Sequence, residues 1–436
     1  MRLVSAYVGE IAIQASFAQY TPLMWFSKRR IYLDYASAPP VLSEAVHAMR
    51  EAENLVGNPG AIHAEGVAAK KSLEGSRARI AALLGCKARE IVFTSGLTEA
   101  NNLAILGFAK KRQFLRSDLR IPRGRTSGCS GTHWIVGSIE HDSVLESFAE
   151  VECLGGTVTH ATPDSEGIVR PETIARSLRP KTVFVSIGWA NNEIGTIQPL
   201  SQIARVIREH EAKYKTQIIF HSDAGQAPLY LPTLVHSLGV DLLALGANKL
   251  YGPHGIGALY KSNRAELASL VVGGKQESGL RAGTESVAHA AGFATAYEKI
   301  GEERLEESLR LRALRDQLAR ALITHIPGLI VNGDSKRALP HMLNISIPDS
   351  AGWQTSEYVT LALDVAGIAV STKSACREGE ESRSHVVAAL EGSPPSGGWR
   401  AANTIRFSLG RGTRAKDIER VLKTLVRVLE NVKVRP

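Results

Sequence analysis

Short, continuous apolar runs alternate with stretches of helical periodicity from Ile31 to about Lys261. Glu90-Ile91-Val92-Phe93 leads into a helix that starts near Thr98, and His133-Trp134-Ile135-Val136-Gly137 into one from Asp142 to Val151. Thr182 to Ile187 is followed by a helical stretch from Leu200 to Lys213, and then come Ile218-Ile219-Phe220 and Asp241-Leu242-Leu243-Ala244. Strands that are apolar on both faces need cover on both faces. The pattern therefore predicts an α/β architecture with a mainly parallel sheet covered by helices. Such sheets collect their active residues at the carboxyl ends of the strands. Thr98, His141, Asn191, Asp223 and Lys249 each follow a strand-like run.

From about Ala288 the pattern changes. A long helix over Arg304 to His325 precedes the apolar run Met342 to Ile347. A helix from Glu357, short strands near Ile368 and Ile405, and a last helix from Ala415 to about Val432 follow. We expect a large domain over 31–287 and a smaller α+β domain over 288–436, with the start of the first segment packing on the second. Residues 1–30 read as a dispensable extension, translation from Met24 being the alternative. Glu391 to Asn403, with Pro394-Pro395 and Gly397-Gly398, reads as a surface loop. Residues 110–132 crowd Lys and Arg against the single acid Asp118 and then turn to Gly and Ser, which suggests a solvated insertion.

Composition narrows the class. A chain of 436 residues exceeds one ordinary core. Its 44% hydrophobic and 22% charged content is that of a globular protein, and no apolar run approaches the roughly 20 residues that span a bilayer. A net charge of +9 is modest for this size, and the basic stretch lacks the interleaved aromatics that stack bases, so no nucleic-acid or membrane partner is expected. Cys86, Cys129, Cys153 and Cys376 show no metal-site or disulfide spacing, which fits a reducing, cytoplasmic setting and no metal. Cys86 and Cys153 read as packing residues and Cys129 as part of an exposed loop. Cys376, in the polar run Lys373 to Arg383, is the candidate nucleophile. Lys373 and Arg377 favour its thiolate, and the neighbouring glutamates oppose it.

Lys249 sits in a turn of small residues after the strand-like run Leu242 to Leu245. A desolvated lysine is a nucleophile toward aldehydes. The aldehyde cofactor pyridoxal 5'-phosphate exploits this and needs a carboxylate at its ring nitrogen, which Asp223 would supply. Gly96-Leu97-Thr98, between a strand and a helix, would cradle its phosphate. Arg406 offers a two-pronged fork for an amino-acid carboxylate.

In order along the chain, the following blocks are found: Ile31-Tyr32-Leu33-Asp34-Tyr35-Ala36, Gly57-Asn58-Pro59, Phe93 to Glu99, Glu140-His141, Asn191 to Gly195, His221 to Gln226, Lys249 to Pro253, Arg281 to Thr284, Ser374-Ala375-Cys376, and Ile405 to Gly410. The ordered set resembles the cysteine desulfurases of the NifS/IscS type, within the class V aminotransferase-like pyridoxal-phosphate enzymes of fold type I. This resemblance implies conversion of L-cysteine to L-alanine, with the sulfur left on Cys376 as a persulfide for iron–sulfur or thiolation pathways. It makes Lys249 the Schiff-base lysine and proton carrier, His141 the residue over the ring, and Leu97 and Thr98 the phosphate contacts. Asn191 and Gln226 would bond the ring hydroxyl side, Asn191 and Arg406 would hold substrate, and Gly246, Ala247 and Asn248 would complete the pocket. Thr284 would reach the phosphate of a neighbouring subunit, which implies a homodimer. The resemblance also implies a sulfur acceptor, either a scaffold or a sulfurtransferase.

Three positions depart from the family pattern. Asn248 stands where His is common, Gly246 where a hydroxyl often holds phosphate, and Ala38-Pro39-Pro40 where Thr-Thr-Pro is usual. Two other functions follow from the same residues: a selenocysteine lyase or other class V lyase, and a non-catalytic homologue kept as a binding subunit.

Overall fold

The computed structural model describes residues 29–117, 129–348, 356–372, 383–392 and 398–432. The chain enters through a two-residue strand, β1 (Ile31–Tyr32), and then builds a seven-stranded sheet. Its strands are β2 (Ile91–Thr94), β3 (His133–Gly137), β4 (Thr157–Ala161), β5 (Thr182–Ser186), β6 (Ile219–Asp223), β7 (Leu242–Gly246) and β8 (Gly257–Lys261), in the order β2-β8-β7-β6-β5-β3-β4. β8 is antiparallel to both β2 and β7, and every other pairing is parallel. β2 therefore runs with the parallel strands, and the carboxyl ends of β2, β3, β5, β6 and β7 share one edge.

Every residue of β2, β3, β5 and β7 is buried. One face packs Trp134, Phe148, Phe108 and Phe184 into an aromatic cluster, with Trp134 and Phe184 stacked at 5.0 Å. The long helix runs unbroken over Val287–His325, starting well before Arg304. At 1.5 Å per residue its 39 residues span about 58 Å. Its first half buries Ala290, Phe293, Ala294 and Tyr297, and its second half Leu311, Leu314, Leu318 and Leu322, so a helical stripe faces the core throughout.

The C-terminal part holds β9 (Ile330–Val331), β10 (Met342–Ser346), β11 (Ile368–Ala369) and β12 (Thr404–Ser408). β12, β10 and β9 form an antiparallel sheet, while β11 pairs in parallel with β1 through Ile31↔Ile368. A bridge from Asp34 to Ser408 brings the start of the chain against β12. The closing helix, Ala415–Val432, buries Ile418, Val421, Leu425 and Leu429, spaced by three or four residues as a helical face requires.

Several expectations are corrected. Residues 110–117 continue the helix Leu97–Ser117, and Cys129 and Thr132 are buried, so a solvated loop cannot extend over 110–132. Residues 118–128 lie outside the described set. Cys129 belongs to the aromatic core, where it lies against β3 and the Leu154 turn. Cys153 is exposed at a helix end, since the buried stripe of Asp142–Cys153 runs through Val144, Phe148 and Val151. Part of the expected loop after Glu391 is a short helix, Trp399–Ala402, with Ala401 buried; residues 393–397 are not described.

Candidate active site

A cavity of about 340 Å³ opens at the carboxyl edge of the large sheet, walled on its far side by β12 and the Ala36–Ser37 turn. Leu97, Thr98, His141, Asn191, Asp223, Gln226, Asn248, Lys249 and Arg406 all line it. Gly246 and Ala247 lie behind the wall. The Ala247 amide is committed to Ile256, and its carbonyl accepts from Leu250 and Gly252, so this residue shapes the turn that presents Lys249. Thr284 is exposed and stands outside this cavity. Cys376 lies in residues 373–382, outside the described set.

Lys249 ends a 3-10 turn directly after β7, and its Nζ donates to the carbonyls of Ala36 and Ser37 at 3.0 and 2.7 Å. Asp223, the last residue of β6, has a donor on each carboxylate oxygen. The Gly225 amide lies 2.8 Å from Oδ1 and Asn101 Nδ2 lies 2.6 Å from Oδ2. Gln226 Nε2 donates to Ala36 O at 2.9 Å, while its Oε1 is buried without a protein partner.

At the start of the Leu97–Ser117 helix, the amides of Gly96, Leu97 and Thr98 meet no protein acceptor among the described residues. These are the orphan donors of a helix N-terminus, which favour an anion. Gly96 adopts φ +157, and a Cβ there would meet open space. Glu99, one residue on, accepts from the Ser95 amide and pairs with Arg281 at 3.1 Å. Burial opposes its charge, yet the Ser95 bonds and Arg281 hold its carboxyl below the ordinary range. At Gly246 a side chain would come within 3.0 Å of both Asn248 Oδ1 and Leu97 Cβ, so Asn248 fills the space that a hydroxyl-bearing residue would use.

His141 caps the helix Asp142–Cys153. Its Nδ1 accepts from the Ser143 amide at 3.1 Å and lies 2.9 Å from Ser143 Oγ. Asn191 spends most of its carboxamide on its own turn. Nδ2 donates to Ile139 O, and Oδ1 accepts from the amides of Glu193 and Ile194, which leaves one N–H for a ligand. Arg406 is 1% exposed. It donates to Asn192 O at 2.9 Å and to Asp34 Oδ1 and Ser37 Oγ at 2.8 Å, and its buried Nε has no protein partner.

Two features escaped the sequence reading. Glu140 is buried in the cavity wall, and both of its carboxyl oxygens accept from the Gly188 amide at 2.8 and 2.9 Å. Burial pushes it up to about 8, against the Gly188 bond and aided by the charge of Asp223. Asn101 is completely buried behind Asp223. No local sequence signal marks either residue, because each acts through a contact distant in sequence.

These residues suit pyridoxal 5'-phosphate. The orphaned Gln226 Oε1 awaits a donor, the unpaired helix amides await an anion, and an amine and a carboxylate open into the same cavity. A sequence-family comparison gives the same class: the model described as aminotransferase class-V matches residues 31–421. The cysteine desulfurase IscS of Dictyoglomus turgidum is 38% identical over 407 residues, which cover 93% of this chain and 96% of that one. The putative cysteine desulfurase IscS 1 of Bacillus subtilis is 36% identical over 404 residues, covering 92% and 99%. Among solved structures, a NifS-like protein matches with TM-score 0.79 at 28% identity, covering 92% of this chain and 100% of its own. DndA from Streptomyces lividans matches with TM-score 0.66 at 29% identity, covering 85% and 98%.

Proposed function

Since the chain belongs to the class V aminotransferase family of pyridoxal-phosphate enzymes, we propose that it is a cysteine desulfurase that converts L-cysteine to L-alanine and takes the sulfur onto Cys376 as a persulfide. The observation that carries this is the convergence of the Lys249 amine, the Asp223 carboxylate and the Arg406 guanidinium on one cavity. When bound, the cofactor supplies an electron sink that eases cleavage of the carbon–sulfur bond.

The chain's own residues do the rest. Lys249 holds the cofactor covalently and carries protons to and from the substrate carbons. Asp223 would sit at the ring nitrogen, and Gln226 Oε1 would accept from the ring hydroxyl. The amides of Leu97 and Thr98 bind the phosphate, and Asn248 closes that pocket beside Gly246. Arg406 takes the substrate carboxylate through its unpaired Nε, with the remaining N–H of Asn191 alongside. His141, on the cavity wall, would carry a proton for the reaction.

The two ends of the segment that bears Cys376 sit on the cavity walls. Ser371 exchanges backbone hydrogen bonds with Arg406 itself, at 3.2 and 2.7 Å. Ser384 Oγ donates to the buried Glu193, and His385 Nε2 lies 3.0 Å from Glu140 O. The enzyme acts as a homodimer in the cytoplasm and hands its sulfur to an acceptor protein. Thr284, exposed here, completes the phosphate pocket of the partner subunit. No helix among the described residues is long and apolar enough to cross a membrane.

The test is alanine formation from L-cysteine by the purified protein loaded with cofactor, beside the Cys376→Ser variant. The parent is expected to form alanine and to release sulfide when a thiol reductant is added. The variant should keep its cofactor and lose sulfur removal, because a hydroxyl is a far weaker nucleophile and cannot carry a persulfide. Equal alanine formation by both would remove Cys376 from the reaction, and none from the parent would refute the activity.

A further inference from the structure

Behind the cavity a continuous hydrogen-bonded chain joins the two residues that flank the cofactor ring in the proposed reading. Asn101 lies on the second turn of the helix whose first turn faces the phosphate, and it is 0% exposed. Its Nδ2 reaches two acceptors at once, Asp223 Oδ2 at 2.6 Å and Ser143 Oγ at 2.9 Å. Ser143 Oγ lies in turn 2.9 Å from His141 Nδ1. Asn101 Oδ1 is buried without a partner. The amide therefore keeps this orientation even though its buried oxygen goes unsatisfied, which is itself unfavourable. Flipping the group would set its oxygen against the Asp223 carboxylate and lose the charge-assisted bond.

The proton directions follow from donor and acceptor roles. Ser143 Oγ accepts from Asn101, so its own proton is available to His141 Nδ1. The Ser143 amide also points at that nitrogen, at 3.1 Å. With two donors on Nδ1, the ring proton sits on Nε2. At the other end, the Gly225 amide and Asn101 hold Asp223 between them, one on each oxygen. This fixes the rotation of the carboxylate without filling all of its lone pairs.

We propose that Asn101 is a positioning residue that sets two reacting groups together, the rotation of Asp223 at the ring nitrogen and the Nε2–H tautomer of His141 at the cavity. This rests on the pyridoxal-phosphate reading above. The residue must donate two hydrogen bonds from one nitrogen, which an amide does and an ionised carboxylate of the same shape does not.

The experiment compares the cofactor-loaded parent with Asn101→Asp, Asn101→Ala and Ser143→Ala. Three quantities are measured: the visible absorbance maximum of the bound cofactor, cofactor retention on dialysis, and kcat and KM for L-cysteine. The parent's spectrum and turnover test the activity itself, while differences between parent and variants test Asn101. Both Asn101 variants are expected to shift the absorbance maximum, because Asp223 turns relative to the ring. They should lower kcat by about tenfold to a hundredfold, the scale of a small misplacement of a reacting group. KM should move by less than about threefold, since Arg406 and its partners lie on the opposite wall. Ser143→Ala cuts only the His141 arm, so it should lower kcat and leave the absorbance maximum in place. Asn101→Asp keeps the size of the side chain and separates lost donation from lost packing. A parent-like spectrum and parent-like kcat in Asn101→Asp would overturn the proposal. So would a Ser143→Ala spectrum shifted as far as that of the Asn101 variants.

Discussion

Lys249 is held where an amine is useful. Two backbone carbonyls, Ala36 O and Ser37 O, orient its Nζ toward the cavity, and the turn that carries it is fixed by the Ala247 amide and carbonyl. Among the described residues no other lysine lines that cavity. Lys249→Ala should therefore leave cofactor that is removed by dialysis and abolish alanine formation, with little change in the unfolding midpoint. A variant that stays coloured after dialysis and still turns over would show that another group holds the cofactor. Lys249 and Asp223 stand out in the sequence because each follows an apolar run, and Arg406 because it lies in the block Ile405 to Gly410 that matches the family pattern. Asn101 and Glu140 do not, because their roles depend on contacts made 122 and 48 residues away. An asparagine in the second turn of a helix is indistinguishable by pattern from any polar residue until Asp223 is seen beside it. The burial of Cys129 and the exposure of Cys153 escaped for the same reason, since local context does not say which face of the turn meets the core.

The order of strands and helices is readable from hydrophobic runs, and with it the shared edge of carboxyl ends. The reversal of β8 is not carried by that pattern, because a run buried on both faces looks the same in either direction. Spacing does hint at it. β7 ends at Gly246 and β8 starts at Gly257, a shorter link than the dozen or so residues a parallel crossover takes. β4 escaped because it is an edge strand of mixed polarity, Thr157–Ala161, only partly buried. The reversal has a consequence for the phosphate cradle. Gly257 on β8 lies so near Gly96 that a Cβ would approach the Gly96 carbonyl carbon and Leu245 O to 2.6 Å. Gly257→Ala must displace the turn that opens the Leu97 helix, at about 1–3 kcal/mol for overpacking a filled site. We expect a lower unfolding midpoint together with faster loss of cofactor on dialysis. Loss of stability with parent-like retention would show that the Leu97–Thr98 amides do not anchor the phosphate.

At the scale of the molecule, one core runs from Leu33 through Phe220 and Leu318 to Ile405, and Arg406 joins Asp34 across 372 positions. Closure of this kind cannot be read from local pattern, and it places several titratable groups in dry surroundings. Burial lowers His221 to about 3. It lowers His341 to about 3 as well, with Arg406 and Arg315 adding to the effect. Glu140 goes the other way, to about 8. In the unfolded chain the two histidines titrate near 6.5 and the glutamate near 4.5. Below 6.5 the unfolded chain binds protons on both of these histidines, and on His133, which burial lowers to about 4, that the folded one refuses, so stability falls as pH falls. Between 4.5 and 8 the folded chain keeps a proton on Glu140 that the unfolded one has lost, so this group makes stability fall as pH rises. The histidines outweigh Glu140 below about 6.5, and above it Glu140 acts alone. The unfolding midpoint should therefore peak near pH 6.5 and decline on both sides. The alkaline slope is at most about 1.4 kcal/mol per pH unit until about pH 8. Cys86, raised by burial and Glu90 to about 12 from 9.0, extends the decline at higher pH. Glu140→Gln keeps an acceptor for the Gly188 amide and carries no titrating proton. Its midpoint should hold steady between pH 6.5 and 8 where the parent's falls. A parent and variant with the same slope in that window would show that Glu140 is ionised in the folded protein at neutral pH.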